Sequence, residues 1–156
     1  MAKAKLLWTF AKFTKWRDED FRAKDSPFTI GILGENPFGK EILETLKTAT
    51  VNKRRVEIRL CKSVDEAEAC QVLFICASEK RNIATVLKAL KTRHILTISE
   101  VDGFIEEGGI INMLRKQTGL DSYDAVPEIN EEAVKKNWEF HPQLFAGIKN
   151  LKDQYK

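Results

Sequence analysis

The 156-residue chain contains few of the residues that usually build metal and catalytic centres. It has two histidines and three cysteines, and no two cysteines have the C-x-x-C spacing of a structural zinc site. No apolar run approaches the ~18 residues that a membrane-spanning helix requires. We therefore expect no metal site, no cofactor and no direct insertion into a membrane.

Internal repeats, low-complexity tracts and linkers are also missing from the sequence. The content of 43% hydrophobic and 31% charged residues is ordinary for a globular protein. The net charge of +3 comes from scattered basic and acidic residues, so it does not indicate a nucleic-acid partner. These features predict one domain over residues 1–156.

The first residues do not have the pattern of a secretory signal peptide. Lysines run through MAKAKLLWTFAKFTKW, and no small-residue cleavage site follows. Two alternatives remain open at this point. The protein is cytoplasmic, or a leader has been removed and Met1 stands in its place.

The apolar pattern predicts strands that alternate with helices. Residues 2–16 fit an amphipathic helix, whose Leu6, Phe10 and Trp16 we expect to pack into the core rather than to bind a partner. The strands are predicted at FTIGIL, VEIRLC, QVLFIC and HILTIS, followed by a hairpin of IINML and YDAVPEI. A helix at residues 142–153 closes the chain.

This order of elements predicts an α/β fold, a three-layer sandwich with a mostly parallel central sheet and helices on both faces. Only VEIRLC alternates apolar with charged residues, as on an edge strand, whereas FTIGIL and QVLFIC are apolar almost throughout. We therefore expect the strand order 2-1-3-4, with the hairpin extending the far edge. Pro127 cannot donate to a strand ladder, which places the last strand at that edge.

The loop GENPFGKE resembles a phosphate-binding P-loop, since residues 34–40 fit the pattern G-x-x-x-x-G-K. Glu41, however, stands where a hydroxyl should hold magnesium, and Pro37 removes one of the backbone N–H groups that would face the phosphates. We expect instead that Asn36 caps a helix beginning at Pro37 and that Gly39 allows close packing. The loop therefore predicts no magnesium-dependent nucleotide binding.

No nucleophile and base can be paired from the sequence. Ser78 and Ser99 end strands without a nucleophile-elbow pattern, and we expect Ser78 to cap the helix that follows it. Both histidines lie at the boundaries of predicted elements. Glu100 and Asp102 follow the fourth strand, where acids can act in catalysis, but turn formation explains them equally well. We predict a protein that is not an enzyme.

The cysteines are expected to remain unlinked within the chain. Cys61 ends the second strand and Cys70 begins the third, and in parallel strands these points lie about 20 Å apart. A disulfide requires Cα atoms within ~7 Å. Cys76 ends the third strand, separated from Cys61 by the first strand, and is expected to be an inert core thiol.

Several motifs in order resemble the YfiR-like family across nearly the whole chain. They are F-x-K-F-x-x-W from Phe10, I-G-x-L-G-x-x-P-F-G from Ile30, C-x-x-L-F-I-x-x-S-E from Cys70, G-F-x-x-x-G-G-x-I-N from Gly103, and E-I-N at residues 128–130. The chain departs from the family pattern at Gln71, where His is usual, and at Val126 and Pro127, where the family has Phe. The segment RKQTGLDSYDA also predicts a longer hairpin connection.

This resemblance implies a periplasmic regulator, with the signal peptide absent from the present sequence. Members of the family bind the periplasmic sensor region of a membrane-bound diguanylate cyclase and repress it, which lowers cyclic di-GMP and biofilm formation. Related domains serve as input modules of sensor kinases. The resemblance implies action through protein–protein contact, with a homodimer as the expected assembly.

We expect the partner surface at the carboxyl ends of the strands, where loops extend beyond a rigid sheet. The candidate residues are Glu35, Asn36, Phe38, Ser78, Glu79, Lys80, Arg81, Asp102 and Phe104. Phe38 and Phe104 either serve as exposed aromatic anchors or pack inward. The alternative function is a small-molecule-sensing input domain, with its ligand at the switch point of the sheet between residues 34–39 and 77–81.

Overall fold

The computed structural model describes residues 3–144. The strands are β1 (Phe28–Leu33), β2 (Thr50–Val51), β3 (Arg54–Cys61), β4 (Val72–Ile75), β5 (Leu96–Ser99), β6 (Ile111–Gln117) and β7 (Tyr123–Ile129). The helices are α1 (Lys3–Phe13), α2 (Glu41–Leu46), α3 (Val64–Ala67), α4 (Ile83–Ala89) and α5 (Glu131–Asn137), with short 3₁₀ helices at Asp18–Asp20 and Ala77–Asn82. Within residues 3–144, no helix is long and apolar enough to cross a bilayer.

The strands form one seven-stranded sheet with the order β2-β3-β1-β4-β5-β6-β7. The central strands β3, β1, β4, β5 and β6 are parallel, and β6 and β7 form an antiparallel hairpin at one edge. The predicted order 2-1-3-4 with a terminal hairpin is therefore confirmed. Pro127 lies on the edge strand, opposite Met113, as its missing N–H requires.

Two details of the sheet differ from the expectation. Strand β2 was not predicted, because a strand of two residues is too short to show periodicity. Asn52 and Lys53 form the turn from β2 to β3, with φ values of 51° and 65°. The hairpin connection is also shorter than predicted. Pairing of β6 with β7 continues from Ile111 to Gln117, so only residues 118–122 connect the two strands.

Helices cover both faces of the sheet, which confirms the three-layer architecture. On one face, Phe10 of α1, Ile42 of α2 and Val134 of α5 pack in one hydrophobic cluster with β-strand residues. The other face carries a second cluster, with Ala67 of α3 and Val86 of α4. Every residue of β1, β4 and β5 is buried, because helices cover both of the faces to which successive side chains of a strand point.

Helix α1 is shorter than the predicted helix at residues 2–16. It ends at Phe13, and Trp16 lies beyond it, where the indole Nε1–H donates a hydrogen bond to the Ala11 carbonyl at 2.8 Å. Leu6 and Phe10 are buried, as predicted for core packing. Most of the predicted helix at residues 142–153 lies outside the described residues. Leu144, which is described, is buried.

Candidate functional site

Gly34 brings together two loops at the carboxyl ends of β1 and β4. Its φ of +103° is a conformation that only glycine adopts without strain. A Cβ at this position would lie 2.5 Å from Ser78 Oγ and 2.9 Å from Glu79 Cγ. A glycine is therefore required both for the turn after β1 and for the close approach of residues 77–82.

Ser78 connects the same two loops rather than capping a helix. Its Oγ accepts a hydrogen bond from the Glu35 N–H at 2.8 Å. The chain forms the 3₁₀ helix Ala77–Asn82 before α4, and the residue preceding that helix is Cys76. The prediction of Ser78 as a helix cap is wrong, because the close approach of Gly34 places the hydroxyl beside the Glu35 backbone.

Asn36 stabilises the turn that follows Gly34. Its Oδ1 accepts a hydrogen bond from the Phe38 N–H, and its Nδ2 donates one to the Gly39 carbonyl, each at 2.9 Å. The helix expected from Pro37 begins only at Glu41, so the predicted cap is wrong. Turns of this kind are an alternative use of the same Asn side chain.

Gly39 has a different role from the one predicted. No atom lies within 4 Å of the position its Cβ would occupy, so close packing does not require a glycine there. Its φ of +59° explains the residue instead. The N–H groups of Glu35 and Phe38 already donate hydrogen bonds to side chains. The loop therefore differs from a P-loop, in which free N–H groups face the phosphates.

The two candidate aromatic anchors lie in different environments. Phe38 is half-buried, and its ring meets the Phe74 ring edge-on with centroids 5.0 Å apart. Phe104 is completely buried, and a side chain on Gly109 would overlap its ring. Phe104 therefore packs inward and is not available as a surface anchor, which corrects the first of the two alternatives.

Charged side chains of both signs surround the loops. Burial, together with the nearby carboxylates of Glu100, Glu79 and Glu35, raises the pKa of Cys76 to about 12. Lys80, Arg81 and Asp102 are exposed. The Lys3 ammonium contacts the Glu100 carboxylate at 2.6 Å and ties α1 to this end of the sheet.

The carboxyl-end surface is a set of described residues that the loops bring together. Its members are Glu35, Asn36, Phe38, Glu79, Lys80, Arg81 and Asp102. The Ser78 contacts close the space between the two loops at the switch point. The surface therefore presents charged groups of both signs around the half-buried Phe38.

A groove that was not predicted from the sequence lies at the opposite, amino-terminal end of the parallel strands. This amino-end groove encloses about 800 Å³, and its lining includes Arg17, Lys91, Arg93, His94 and Trp138. Its residues come from four distant parts of the chain, namely the segment after α1, α4 with its connection to β5, the connection from β5 to β6, and α5 with its flanking residues. His94, at the boundary of a predicted strand, is the signal in the sequence that could have indicated it.

His94 is held at the edge of this groove by an almost completely buried acid. Its Nδ1 lies 2.8 Å from Asp20 Oδ1 and its Nε2 lies 2.9 Å from the Asn137 carbonyl oxygen. The Asp20 side chain is 2% exposed. The imidazole also stacks on the Trp138 ring, with centroids 3.8 Å apart. His94 thus links three separate segments of the chain.

The cysteines are not arranged as predicted. Cys61 and Cys70 were expected a strand length apart, but both sulfurs lie beside Gly31 on the face of the sheet that α3 covers. The prediction is wrong because Cys70 precedes β4 and reaches over β1 from the α3 connection, rather than lying within β4. All three cysteines are buried as free thiols.

The described residues contain no group of three His, Cys, Asp or Glu side chains positioned to hold a metal ion.

A family model described as YfiR/HmsC-like matches residues 1–145 of the chain. A search of curated proteins found no significant match.

Proposed function

Because this chain belongs to the YfiR/HmsC-like family, we propose that it is a periplasmic regulator of a membrane-bound diguanylate cyclase. The observation that carries this proposal is the family match, which extends over residues 1–145. Family membership supports such a role at the level of the family. The mode of action and the contact surface are proposed in addition.

The proposed action is repression by binding. The chain binds one conformational state of the periplasmic sensor region of the cyclase, and the population of that inactive state rises. A binder shifts such an equilibrium only by the difference between its affinities for the two states. The cyclase then makes less cyclic di-GMP, and biofilm formation falls. In this proposal the chain itself catalyses no reaction.

We assign the contact to the carboxyl-end surface. Its loops are held by the hydrogen bonds of Ser78 and Asn36, so little conformational entropy is lost when a partner binds. Lys80 and Arg81 supply exposed positive charge, and Glu35 and Asp102 supply negative charge. Association of the chain as a homodimer stays a prediction.

The test is titration calorimetry of the purified sensor region with wild-type protein and with the double variant Lys80→Glu, Arg81→Glu. We expect the double variant to bind about 10-fold more weakly, because two charges at the interface change sign. The matched control is Lys88→Glu, Lys91→Glu, which reverses two exposed lysines near the amino-end groove and should change affinity less than about 2-fold. Equal losses in both variants would place the contact elsewhere.

A second candidate function, sensing of a small molecule, is favoured by the amino-end groove. The switch point that such a ligand would be expected to use is closed by Ser78 and Gly34, whereas the groove offers about 800 Å³. A thermal-shift screen tests this function. A ligand that stabilises wild-type protein but not a Lys91→Glu, Arg93→Glu variant would support it, and equal stabilisation of both proteins would contradict binding in the groove.

A further inference from the structure

The outward side of helix α1 carries basic and aromatic side chains. Lys5, Trp8 and Lys12 follow the i, i+3, i+7 spacing that places residues on one face of a helix, opposite the residues that enter the core. Lys5 and Lys12 are exposed, Trp8 is half-buried, and the helix sequence KAKLLWTFAKF contains no acid. The outward side of α1 is therefore positively charged over most of its length.

Lys12 lies over two aromatic rings. Its Nζ is 4.4 Å from the centroid of the Trp8 ring and 5.0 Å from that of Phe13, which is also half-buried. The Trp8 indole Nε1–H donates a hydrogen bond to the Thr50 carbonyl at 3.1 Å. The aromatic rings are therefore held at the surface, beneath an ammonium group.

Further basic residues lie beside α1. The bond from Trp8 joins α1 to β2, and Arg55 stands opposite Thr50 in the ladder of β2 and β3. Lys53 lies in the turn between these strands, and Lys47 lies at the carboxyl end of α2, which packs against α1. These side chains and those of α1 form the basic face, which comprises Lys5, Trp8, Lys12, Lys47, Lys53 and Arg55.

The charge of the basic face is not neutralised. The ion pairs among the described residues include none of its lysines and not its arginine. Helix α2 contributes two exposed acids, Glu41 and Glu44, and α5 on the same side of the sheet has as many exposed acids as lysines. On the other side, Asp65 and Glu66 of α3 offset Lys88 of α4. Positive charge is therefore in excess on the side that α1 and β2 form.

We propose that the basic face binds a lipid surface that contains anionic phospholipid headgroups. Lysines beside half-buried aromatic rings are characteristic of protein segments at a membrane interface, where ammonium groups meet lipid phosphates and the rings lie at the level of the headgroups. The basic face has four lysines and one arginine. Lysine is a compact point charge, which suits a fluid lipid surface better than a partner recognised through the fixed fork of arginine.

This binding is peripheral and independent of the function proposed above, because it requires no cyclase. The core residues of α1, such as Leu6 and Phe10, remain buried in the protein rather than entering the bilayer. The basic face lies on a side of the sheet, whereas the carboxyl-end surface lies at the ends of its strands. A molecule bound to lipid by the basic face therefore keeps the carboxyl-end surface free for a protein in the same membrane.

The experiment measures co-sedimentation of the purified protein with two kinds of vesicle. One contains phosphatidylcholine alone, and the other contains in addition about 30% phosphatidylglycerol. We expect binding to the anionic vesicles to be at least about 10-fold tighter than to the neutral ones. Raising the salt from about 0.05 M to about 0.5 M should weaken it about 10-fold, because the charges involved are exposed and are screened.

Two double variants locate the contact. Lys5→Glu, Lys53→Glu should weaken binding to the anionic vesicles at least about 10-fold, because two charges that face the headgroups change sign. The matched control is Lys62→Glu, Lys88→Glu, which makes the same change of net charge at exposed lysines outside the basic face and should weaken binding less than about 3-fold. Both variants should melt within about 2 °C of wild type, because all four side chains are exposed.

Wild-type protein that does not bind the anionic vesicles, or that binds neutral vesicles equally well, would overturn the proposal. Equal losses in the two double variants would also overturn it. A further outcome assigns the basic face to an acidic protein surface instead. In that case wild type ignores the vesicles, and Lys5→Glu, Lys53→Glu weakens calorimetric binding to the sensor region.

Discussion

The two ends of the parallel strands are built in different ways. At the carboxyl end, the close approach at Gly34 and the hydrogen bond from the Glu35 N–H to Ser78 hold two loops together, and Asn36 bonds the backbone of its own loop. The charged groups there remain exposed. At the amino end, His94 and Asp20 form a contact with little exposure to solvent, beside a groove that four separate segments line.

This difference shows which parts of a site local sequence patterns can report. Gly34 and Asn36 lie two positions apart in one motif, because the turn itself requires those residue types. Asp20 and His94 are 74 positions apart, so no spacing rule connects them. The residues that shape the carboxyl end can therefore be recognised as a sequence motif, whereas those that shape the amino end come together only in the folded chain.

The largest expected effect distinguishes core from surface at the carboxyl end. Phe104→Ala should lower the free energy of unfolding by about 4 kcal/mol, because it removes a completely buried ring. The control Phe38→Ala should cost about 1–2 kcal/mol, because Phe38 is half-buried. Urea denaturation measures both. Equal losses would contradict the different environments of the two rings.

The next effect tests the loop packing at Gly34. Gly34→Ala should cost about 3 kcal/mol, because the new Cβ would be strained at a φ of +103° and would overlap Ser78 Oγ. Gly39→Ala is the control, since its Cβ meets nothing within 4 Å and only the positive φ opposes it, at about 1 kcal/mol. If the two variants unfold at the same urea concentration, close approach is not the reason for Gly34.

A smaller effect tests the amino end. Asp20→Asn should lower the free energy of unfolding by about 2 kcal/mol, because His94 loses its carboxylate partner. The Asp20 side chain is only 2% exposed, so water cannot readily replace that partner. Asp18→Asn, in the same 3₁₀ helix but exposed, should change stability by less than about 0.5 kcal/mol. Chemical denaturation at neutral pH measures both variants. A loss in Asp18→Asn as large as in Asp20→Asn would contradict the assigned role of the buried acid.

The smallest effect depends on pH at Cys76. Its pKa is about 12 in the folded protein and near its ordinary value of 9.0 when unfolded, so the unfolded state loses this proton first. Stability is therefore full below about pH 9 and falls as the pH rises toward the folded pKa. Between about pH 8 and pH 10, wild type should lose roughly 1 kcal/mol more than Cys76→Ala. Parallel slopes of stability against pH for the two proteins would contradict the shifted pKa.

Much of the fold could be predicted because it depends on periodicity. The apolar runs of β1 and β4 and the alternation in β3 were enough to give the strand order, and Asn130 caps α5 through a hydrogen bond to the Ala133 N–H. Strand β2 was too short to be seen. The start of α2 was misplaced because the same Asn-Pro pair serves a helix cap or a turn, and the contacts of Asn36 decide between them.

The candidate site was predictable only in part. The sequence identified the loops after β1 and β4, but it could not show that Phe104 turns inward, since its packing against Gly109 depends on tertiary structure. The sequence analysis also misplaced Cys70. The expected separation from Cys61 assumed that Cys70 is the first residue of β4, whereas Cys70 lies before that strand. The features of the site that were not predicted depend on contacts between segments that are distant in the sequence.

The most direct test of the central claim is cyclic di-GMP synthesis by the partner cyclase in membrane vesicles whose periplasmic side faces the medium and whose interior is supplied with GTP. Added wild-type protein should lower the rate in a saturable way, and the Lys80→Glu, Arg81→Glu variant should need about 10-fold more protein for the same effect. A rate that does not change at saturating wild-type protein would contradict repression of the cyclase by contact.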